Sequence, residues 1–555
     1  MKKFFEKHDL VKIALIMILL TVVLSWIIPQ GYFNAGELVK GEITRVGMFD
    51  MVTYGLLGMY YFTVLVAFLF VLGAFYQFLS SLGAYQKLTD KIAAKIKGKE
   101  ILFSLIISFV FAGLASIVNE YLVLVAFMPF IITICNKLKM DKISSFVTTF
   151  GAMLVGILGS TISAKVAGMN VQYLQTAYNT NLLEKILLFA LAFIIYSLFN
   201  ILYLKKTLKD NKEMKTFIWF FIALVDIGLL VLFFIIKRIV FYILLGVTVL
   251  GIILYIAYEL KLFNKIIKKK DSNKKNKKDS KKKDSKKVKS AKKEEKVIKV
   301  VEANVGEDLF ENNIKDSEKA NTIPLIIVGI LAIITILLAY IPWTTVFKVD
   351  WFTKAFTAVT EAKVFGVPIF KYILGNVTEF GSWDLFGVQV VMILSIIVLA
   401  ICYKKGLTDI IDSFSAGFKK SGKLVVILLL AYVILEFAVM YPVIPTILGS
   451  ILGDKFNVFT TALAGGITSL FTSEYQYTIN LIYSQVTSAY ASNINVISII
   501  LQSIYGLVSF FAPSSAMLLV GLSYLEIPYK DWMKYIWKFL VAMLVVIIVM
   551  ALIIA

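Results

Sequence analysis

Histidine is almost absent from this chain of 555 residues, because His8 is its only one. A single histidine near the N-terminus argues against a Ser-His-Asp triad, a zinc site with histidine ligands and a proton relay of histidines. Cysteine is nearly as scarce: Cys135 and Cys402 lie in separate apolar runs, and no CxxC spacing occurs. No pair of acidic residues sits at catalytic spacing on one predicted helix. The sequence therefore predicts a protein that is not an enzyme and that holds no resident cofactor.

Charged residues are also few, at 17% of the chain, whereas soluble domains carry roughly 25%. Hydrophobic residues make up 59% and the mean hydropathy is +0.84. Many apolar runs reach the ~20 residues that cross a bilayer. These values predict a polytopic membrane protein whose main partner is the lipid bilayer.

The net charge of +21 is concentrated in one polar tract. Lys265 to Lys299 holds eighteen lysines against five acidic residues and carries no aromatic residue for base stacking. Nucleic acid is therefore not a predicted partner. Residues 264–322 are of low complexity and predict a disordered cytoplasmic linker that could touch anionic lipid.

The rest of the chain divides into a first membrane half, 1–263, and a second, 323–555. Together they predict an all-α protein of about eleven transmembrane helices. The predicted crossings are 10–29, 51–79, 143–180, 183–204, 216–236, 239–262, 323–343, 384–403, 423–442, 496–527 and 534–555. Residues 407–422 are expected to form a separate amphipathic segment at the interface. Lysine-rich loops place the N-terminus and the linker in the cytoplasm and the C-terminus outside, in a bacterial plasma membrane.

Two segments interrupt this pattern as re-entrant hairpins. Residues 101–135 have lysines on both flanks, so both of their ends are predicted to lie in the cytoplasm. Residues 457–486 are predicted to enter from the outside. Each hairpin is followed by a broken helix, 143–180 or 496–527. Because Glu120 precedes Ser160 by the same interval as Glu474 precedes Ser514, the halves read as inverted repeats, which are typical of secondary transporters.

The predicted hairpin tips carry carboxylates within sequence that is apolar enough to lie in a membrane. Asn119 and Ser473 suit the N-cap of a helix, and Glu120 and Glu474 suit its first turn. Capping alone would explain them, but a charge at the bilayer centre costs roughly 2.5–3.5 kcal/mol or more. Two such acids therefore favour a cation, a proton or a substrate ammonium as partner.

Other polar residues near the tips complete the predicted binding site. Lys165 is expected either to pair with one glutamate or to hold a substrate carboxylate. Tyr121 and Tyr475 would line the site or pack between helices. The hydroxyl groups of Ser160, Thr161, Ser514 and Ser515, with Ser163 close by, are predicted to coordinate Na⁺. The alternative is that these residues only pack membrane helices against each other. Na⁺ and H⁺ are the candidate coupling ions.

Several stretches of the chain resemble the YfcC-like family of basic amino-acid antiporters in the ion transporter superfamily. They are Trp26-Ile27-Ile28-Pro29 with Gly31-Tyr32; Gly47-Met48-Phe49-Asp50; Gly156-Ile157-Leu158-Gly159-Ser160-Thr161-Ile162; and Ile527-Pro528-Tyr529 with Trp532 and Lys534. The resemblance implies a scaffold domain, a mobile transport domain that holds both hairpins, a homodimer and elevator-type alternating access.

The combined prediction is a secondary active transporter of a small polar solute, by ion coupling or exchange. Two glutamates and one lysine give the site a formal charge of −1, which favours a zwitterionic or cationic substrate such as an amino acid. The alternative substrate class is a dicarboxylate or another organic anion. A channel or a membrane protein without transport activity is the remaining class, although a pore would more naturally show rings of like charge.

Overall fold

The computed structural model describes residues 9–208, 309–310 and 320–555, apart from Met48 and Asn376. The described chain is mainly helical. Its two strands, β1 (Gly31–Asn34) and β2 (Glu37–Lys40), form an antiparallel hairpin with Tyr32 opposite Val39. Ala35 and Gly36 both have positive φ, as a two-residue type I′ turn requires. This β-hairpin occupies part of the predicted external loop at 30–50.

The described part of the first half contains ten α-helices. In order, they are α1 Asp9–Ile27, α2 Asp50–Tyr61, α3 Thr63–Ser80, α4 Gly83–Ile96, α5 Glu100–Ile117, α6 Met128–Lys137, α7 Lys142–Thr148, α8 Phe150–Leu158, α9 Met169–Leu174 and α10 Leu182–Thr207. A 3₁₀-helix, Tyr121–Phe127, precedes α6, and a π-helix, Ala164–Gly168, precedes α9.

The described part of the second half contains twelve α-helices. They are α11 Ile323–Tyr340, α12 Trp351–Glu361, α13 Ile369–Leu374, α14 Leu385–Cys402, α15 Leu407–Met440, α16 Ile444–Gly449, α17 Val458–Phe471, α18 Tyr475–Asn480, α19 Tyr483–Ala489, α20 Ile494–Val508, α21 Ala516–Tyr524 and α22 Tyr529–Ile554.

Nine helical segments in the described ranges are long and apolar enough to cross a membrane: α1, α3, α5, α10, α11, α14, α15, Ala491–Val508 and α22. This confirms the prediction of an all-α polytopic membrane protein. The predicted crossings at 216–236 and 239–262 lie outside the described residues, as does most of the linker.

The second half differs from prediction along α15. Residues 407–422 do not form a separate interfacial segment; they are the first part of one helix of 34 residues. Its small residues Gly417 and Ser421 face Gly73 of α3, and a Cβ added at Gly73 would collide with both. Small residues let the two backbones approach closely, so the lysines nearby do not keep the segment at the surface.

Part of the linker also departs from prediction. Phe310 is buried against Tyr76 of α3 and Tyr524 of α21, with ring centroids 6.2 Å and 6.0 Å away. The prediction that residues 264–322 bury no apolar surface is therefore wrong at Phe310. A single aromatic residue in a polar tract is too small a signal to reveal an anchor from composition.

Each of the two predicted hairpin segments starts and ends beside the same part of the molecule. In the first, α5 starts directly after α4, and α6 returns to α4, where Lys137 Nζ lies 2.5 Å from Asp90 Oδ1. In the second, α17 starts beside α16, and α19 ends beside β1; α16 itself packs on β1. Because α4 and the β-hairpin lie at opposite ends of the α2–α3 pair, the two segments start from opposite ends of this pair; their re-entry into the membrane stays a prediction.

Candidate functional site

The first hairpin tip is held from outside the hairpin. The side-chain amide of Asn119 donates to the Gly381 carbonyl at 2.6 Å, and its backbone N–H donates to the Tyr340 carbonyl at 2.8 Å. Asn119 is therefore not the predicted N-cap. Glu120 takes that position, accepting from the Leu122 N–H at 3.2 Å, and the helix that it begins is a 3₁₀-helix rather than an α-helix.

The second hairpin tip docks on α15. The Ser473 hydroxyl donates to the Ala431 carbonyl at 3.2 Å, so Ser473 does not act as the predicted cap. Glu474 is the N-cap residue of α18, but its side chain makes no capping hydrogen bond. Instead, the Tyr432 hydroxyl donates to Glu474 Oε1 at 2.9 Å.

Lys165 joins the two tips. Its Nζ lies 3.1 Å from Glu120 Oε2 and 3.2 Å from Glu474 Oε2. The three side chains are 30%, 11% and 13% exposed, respectively. Sequence reasoning expected Lys165 to pair with one glutamate, whereas the structure pairs it with both. The π-helix places Lys165 between the tips, and the resulting cluster keeps its formal charge of −1. We call Glu120, Lys165 and Glu474 the charge triad.

The first broken helix is bonded to the first tip. Between α8 and the π-helix, Thr161 shares a hydrogen bond with the Ser116 hydroxyl at 2.9 Å, and Ser163 donates to the Val118 carbonyl at 2.7 Å. Ser160 is fully buried, and its hydroxyl has no partner within the described part of the chain. These contacts hold the unwound segment against the tip.

The second broken helix repeats this arrangement. Ser514 Oγ lies 2.9 Å from the Leu470 carbonyl and 3.2 Å from the Thr472 carbonyl, just before the second tip. Ser515 Oγ caps α21 by accepting from the Leu518 N–H at 3.5 Å. Hydroxyls and unwound carbonyls thus gather at both tips as the sequence predicts. Sodium binding there stays a prediction, and no three His, Cys, Asp or Glu side chains among residues 9–208, 309–310 and 320–555 form a metal cluster.

A polar network that the sequence analysis missed links the two halves. Tyr475 donates to Asn170 Oδ1 at 2.7 Å, Asn170 donates to Gln502 Oε1 at 3.0 Å, and Gln502 donates to the Ser160 carbonyl at 3.1 Å. Asn170 and Gln502 are polar residues within apolar runs, and this is the sequence feature that could have marked them as functional candidates. Their pairing could not be read from the sequence because they lie 332 positions apart.

Two tyrosines complete the packing at the tips. Tyr121 and Tyr505 meet with hydroxyl oxygens 3.5 Å apart, and Tyr505 donates to the Ser473 carbonyl at 3.1 Å. A cavity of about 10 Å³ beside Tyr121, Tyr505 and Glu474 has room for about one water molecule. No solute larger than water fits in this cavity.

Other ionisable side chains of the described helices are also buried, among them two in apolar runs that the sequence analysis did not single out. Lys185 lies in the first turn of α10, and Glu436 lies near the end of α15. Both were hidden because each interrupts an otherwise apolar run only once. The charge triad is thus not the whole set of buried charges.

A larger cavity of about 1160 Å³ opens beside the first tip. It lies between α5, α10 and the segment 345–348, and its lining is mainly apolar. Thr161 and Ser116 border it. An apolar lining suits hydrocarbon chains better than a charged solute, so this cavity is not the candidate substrate site.

The helices, the opposed hairpins and the charge triad at the tips define a multi-pass membrane protein with the architecture of a transporter. The family model of the citrate transporter family CitMHS matches residues 4–363, which is more than half of the chain. The chain therefore belongs to the CitMHS citrate transporter family of the ion transporter superfamily. The match includes the first hairpin and Lys165, whereas the YfcC-like subfamily and its basic amino-acid specificity stay predictions.

No curated protein sequence matches this chain. One solved structure that it resembles is MtrF of Neisseria gonorrhoeae, described as illuminating a class of antimetabolite efflux pumps. The identity is 11%, the alignment covers 98% of this chain and 94% of that one, and the TM-score is 0.33. At this TM-score the likeness says nothing about the fold or the function of this chain.

Proposed function

We propose that this protein is a secondary active transporter that moves a small organic anion, such as citrate or a dicarboxylate, together with a cation. The observation that carries the proposal is the position of Lys165 between Glu120 and Glu474, at the meeting point of two opposed hairpin tips. Membership of a citrate transporter family supports the substrate class.

Lys165 supplies the positive charge that a substrate carboxylate needs. An ammonium group binds carboxylates through charge-assisted hydrogen bonds, and here two glutamates occupy those bonds. A substrate carboxylate therefore competes with Glu120 and Glu474 for Lys165. Binding is strongest when one glutamate has lost its charge or has gained another partner.

Charge balance then requires a cation. The charge triad is already −1, so each added carboxylate faces a net repulsion, which at 4 Å is about 4 kcal/mol per charge pair near a protein surface. A proton on a glutamate, or a Na⁺ held by the hydroxyls near Ser160 and Ser514, offsets this cost. Coupling to H⁺ or Na⁺ follows from the site without a resident cofactor or a catalytic step.

The setting that we propose is a bacterial plasma membrane, with the N-terminus and the linker in the cytoplasm and the C-terminus outside. The lysines on and around α4 support this orientation. The opposed hairpins support alternating access, in which both tips move together as a transport domain. A homodimer of the elevator type is part of the same proposal, drawn from the YfcC-like resemblance.

Uptake into proteoliposomes tests the substrate class. Labelled citrate, succinate, malate, lysine, arginine and glutamate are offered in parallel, with Na⁺ and pH gradients imposed separately. We expect uptake of a di- or tricarboxylate that one cation gradient accelerates. Uptake of basic amino acids without any carboxylate uptake would overturn the proposal.

The charge of −1 is the observation that favours the second candidate, a cationic amino acid. The variant Lys165→Gln separates the candidates. It removes the partner of a carboxylate, so organic-anion uptake should be lost, whereas a cationic substrate would meet two freed glutamates and bind more tightly. Lys354→Gln, at an exposed position of α12, is the matched control and should transport as wild type.

A further inference from the structure

Glu436 is an intramembrane carboxylate without a partner. It lies near the end of α15, one of the nine segments able to cross a membrane, and its relative exposure is 5%. Neither carboxylate oxygen has a hydrogen-bond partner within the part of the chain that the structure describes. A buried, unpaired carboxylate is costly, and the cost falls sharply when the group takes up a proton.

Glu436 is adjacent to the charge triad through its own helix. Tyr432 is four residues earlier in α15, so the two side chains lie on one face, a single turn apart. The Tyr432 hydroxyl donates to Glu474 Oε1 at 2.9 Å, and Glu474 Oε2 contacts Lys165 at 3.2 Å. Tyr432, one turn from Glu436 on α15, therefore contacts the glutamate that holds Lys165, while the Glu436 carboxylate itself makes no hydrogen bond with the Tyr432 hydroxyl.

On its other side, Glu436 faces α2. Gly58 is the position opposite, and a Cβ added there would lie 3.4 Å from Glu436 Oε1. Farther along the same α2–α15 contact, the Tyr441 hydroxyl donates to Asp50 Oδ2 at 3.2 Å. The α2–α15 contact therefore holds polar side chains at its Asp50 end, beside the β-hairpin, and at Glu436, and no hydrogen bond joins Glu436 to Tyr441 or Asp50.

Within the described residues, no positively charged group forms a hydrogen bond or an ion pair with Glu436. The titratable groups on the elements around it are Tyr432 on α15, Tyr441 directly after α15, Tyr54 on α2, and Tyr477, Glu474 and Lys165 near the second tip. Of the helices packed on α15, α3, α17 and α21 contain no charged residue, and the charged residues of α1 lie in its first turn.

We infer that Glu436 is a proton-binding site and that, when its carboxyl group turns toward the Tyr432 hydroxyl, it passes its proton on to Glu474. The proton comes from water at the α2 end and converts the Glu436 carboxylate to a neutral carboxyl group. In the transfer, Tyr432 gives its proton to Glu474 and regains one from Glu436, so Tyr432 ends unchanged. Glu474 then loses its hold on Lys165, which becomes free for a substrate carboxylate. This last consequence rests on the proposed function.

Infrared spectroscopy of the purified full-length protein tests proton binding without any transport. Wild type should show a protonated-carboxyl C=O band that disappears as the pH rises and that is missing in Glu436→Gln. Asp412→Asn, an exposed acid on the same helix, is the control and should keep the band. A band unchanged in Glu436→Gln would overturn the inference. If Glu436→Gln does not fold, Glu436→Met replaces it, because it also removes the unpaired polar group.

Proteoliposomes test the coupling. Wild type and Asp412→Asn should show anion uptake that an inward pH gradient stimulates, whereas Glu436→Gln should lose that stimulation and keep substrate exchange at equal pH. Tyr432→Phe should keep the infrared band and lose the stimulation. Stimulation that persists in Glu436→Gln would overturn the inference. Absence of any carboxylate transport in wild type would refute the proposed function, while the infrared result would still decide whether Glu436 binds a proton.

Discussion

The charge triad can be dissected by changing its three members singly and in pairs. In wild type, Lys165 balances one of the two negative charges and contacts both glutamates, at 3.1 Å and 3.2 Å. Lys165→Gln leaves Glu120 and Glu474 facing each other with a formal charge of −2. Glu120→Gln and Glu474→Gln each leave one lysine facing one glutamate, with no net charge.

The two kinds of change should differ in cost. Removing one partner of a buried ion pair typically costs about 3–5 kcal/mol, because an uncompensated charge stays buried. Lys165→Gln should fall near the lower end, since the Lys165 side chain is 30% exposed. A glutamate variant keeps a neutral hydrogen-bonding group and should cost about 1 kcal/mol. The double variant Lys165→Gln with Glu474→Gln should recover part of the loss, as contacting residues are not additive.

Thermal unfolding in detergent and uptake into proteoliposomes measure the two consequences separately. A loss of about 3 kcal/mol should lower the Tm of Lys165→Gln by roughly 3 °C in a chain of this length, and the glutamate variants should unfold close to wild type. Lys165→Gln should lose organic-anion uptake, because it removes the partner of the substrate carboxylate. Glu120→Gln and Glu474→Gln should keep substrate binding and lose the stimulation of uptake by a cation gradient, because each resembles the neutral glutamate that frees Lys165. Lys354→Gln is the control for loss of a lysine.

Two results would refute this account of the triad. A Lys165→Gln protein with wild-type Tm would mean that the glutamates do not need the lysine. Uptake by both Glu120→Gln and Glu474→Gln that a cation gradient still stimulates would mean that neither carboxylate takes part in coupling.

Three other changes test the fold around the site. Deleting Lys265 to Lys299 should leave uptake intact in correctly inserted protein, because the polar, lysine-rich composition of this tract predicts a tether rather than a part of the site. Phe310→Ala should lower the Tm, since truncating a buried phenylalanine costs about 3–5 kcal/mol; a Tm equal to that of wild type would contradict the anchor. Gly506→Ala should destabilise the protein, because the added Cβ meets the Leu158 backbone where the broken helices cross; Gly113→Ala, with open space around it, should not. Asn119→Ala should impair uptake by releasing the first tip from the Gly381 carbonyl at little cost in Tm, and wild-type uptake would show that the anchor is dispensable.

Much of the fold was predictable because it depends on local properties of the chain. Apolar run length identified the helices α1, α10 and α14 within a few residues. Lysines on both flanks of 101–135 revealed a hairpin, because one crossing cannot begin and end on the same side. The errors came where packing overrides local signals, as at 407–422, where close contact with α3 outweighs the lysines.

The candidate site was only partly predictable. Glu120 and Glu474 stood out because charge in apolar sequence is rare and costly. Asn119 and Ser473 were assigned as caps from their residue types, yet the structure gives them partners on other segments. Tyr432, Asn170 and Gln502 were missed because polar residues in apolar runs show no partner in the sequence.

The sequence by itself determined the membrane class, and it identified Glu120 and Glu474 as acidic residues within apolar sequence; the re-entry of the two segments that carry them stays a prediction. Hydropathy, charge bias and residue spacing are local properties of the sequence, and the bilayer selects each segment by its own length and polarity. Only the tertiary structure decided that Lys165 bridges both tips, since it and Glu474 are 309 positions apart and meet through helix packing. The same holds for Glu436, whose lack of a partner is a property of the helices that surround it.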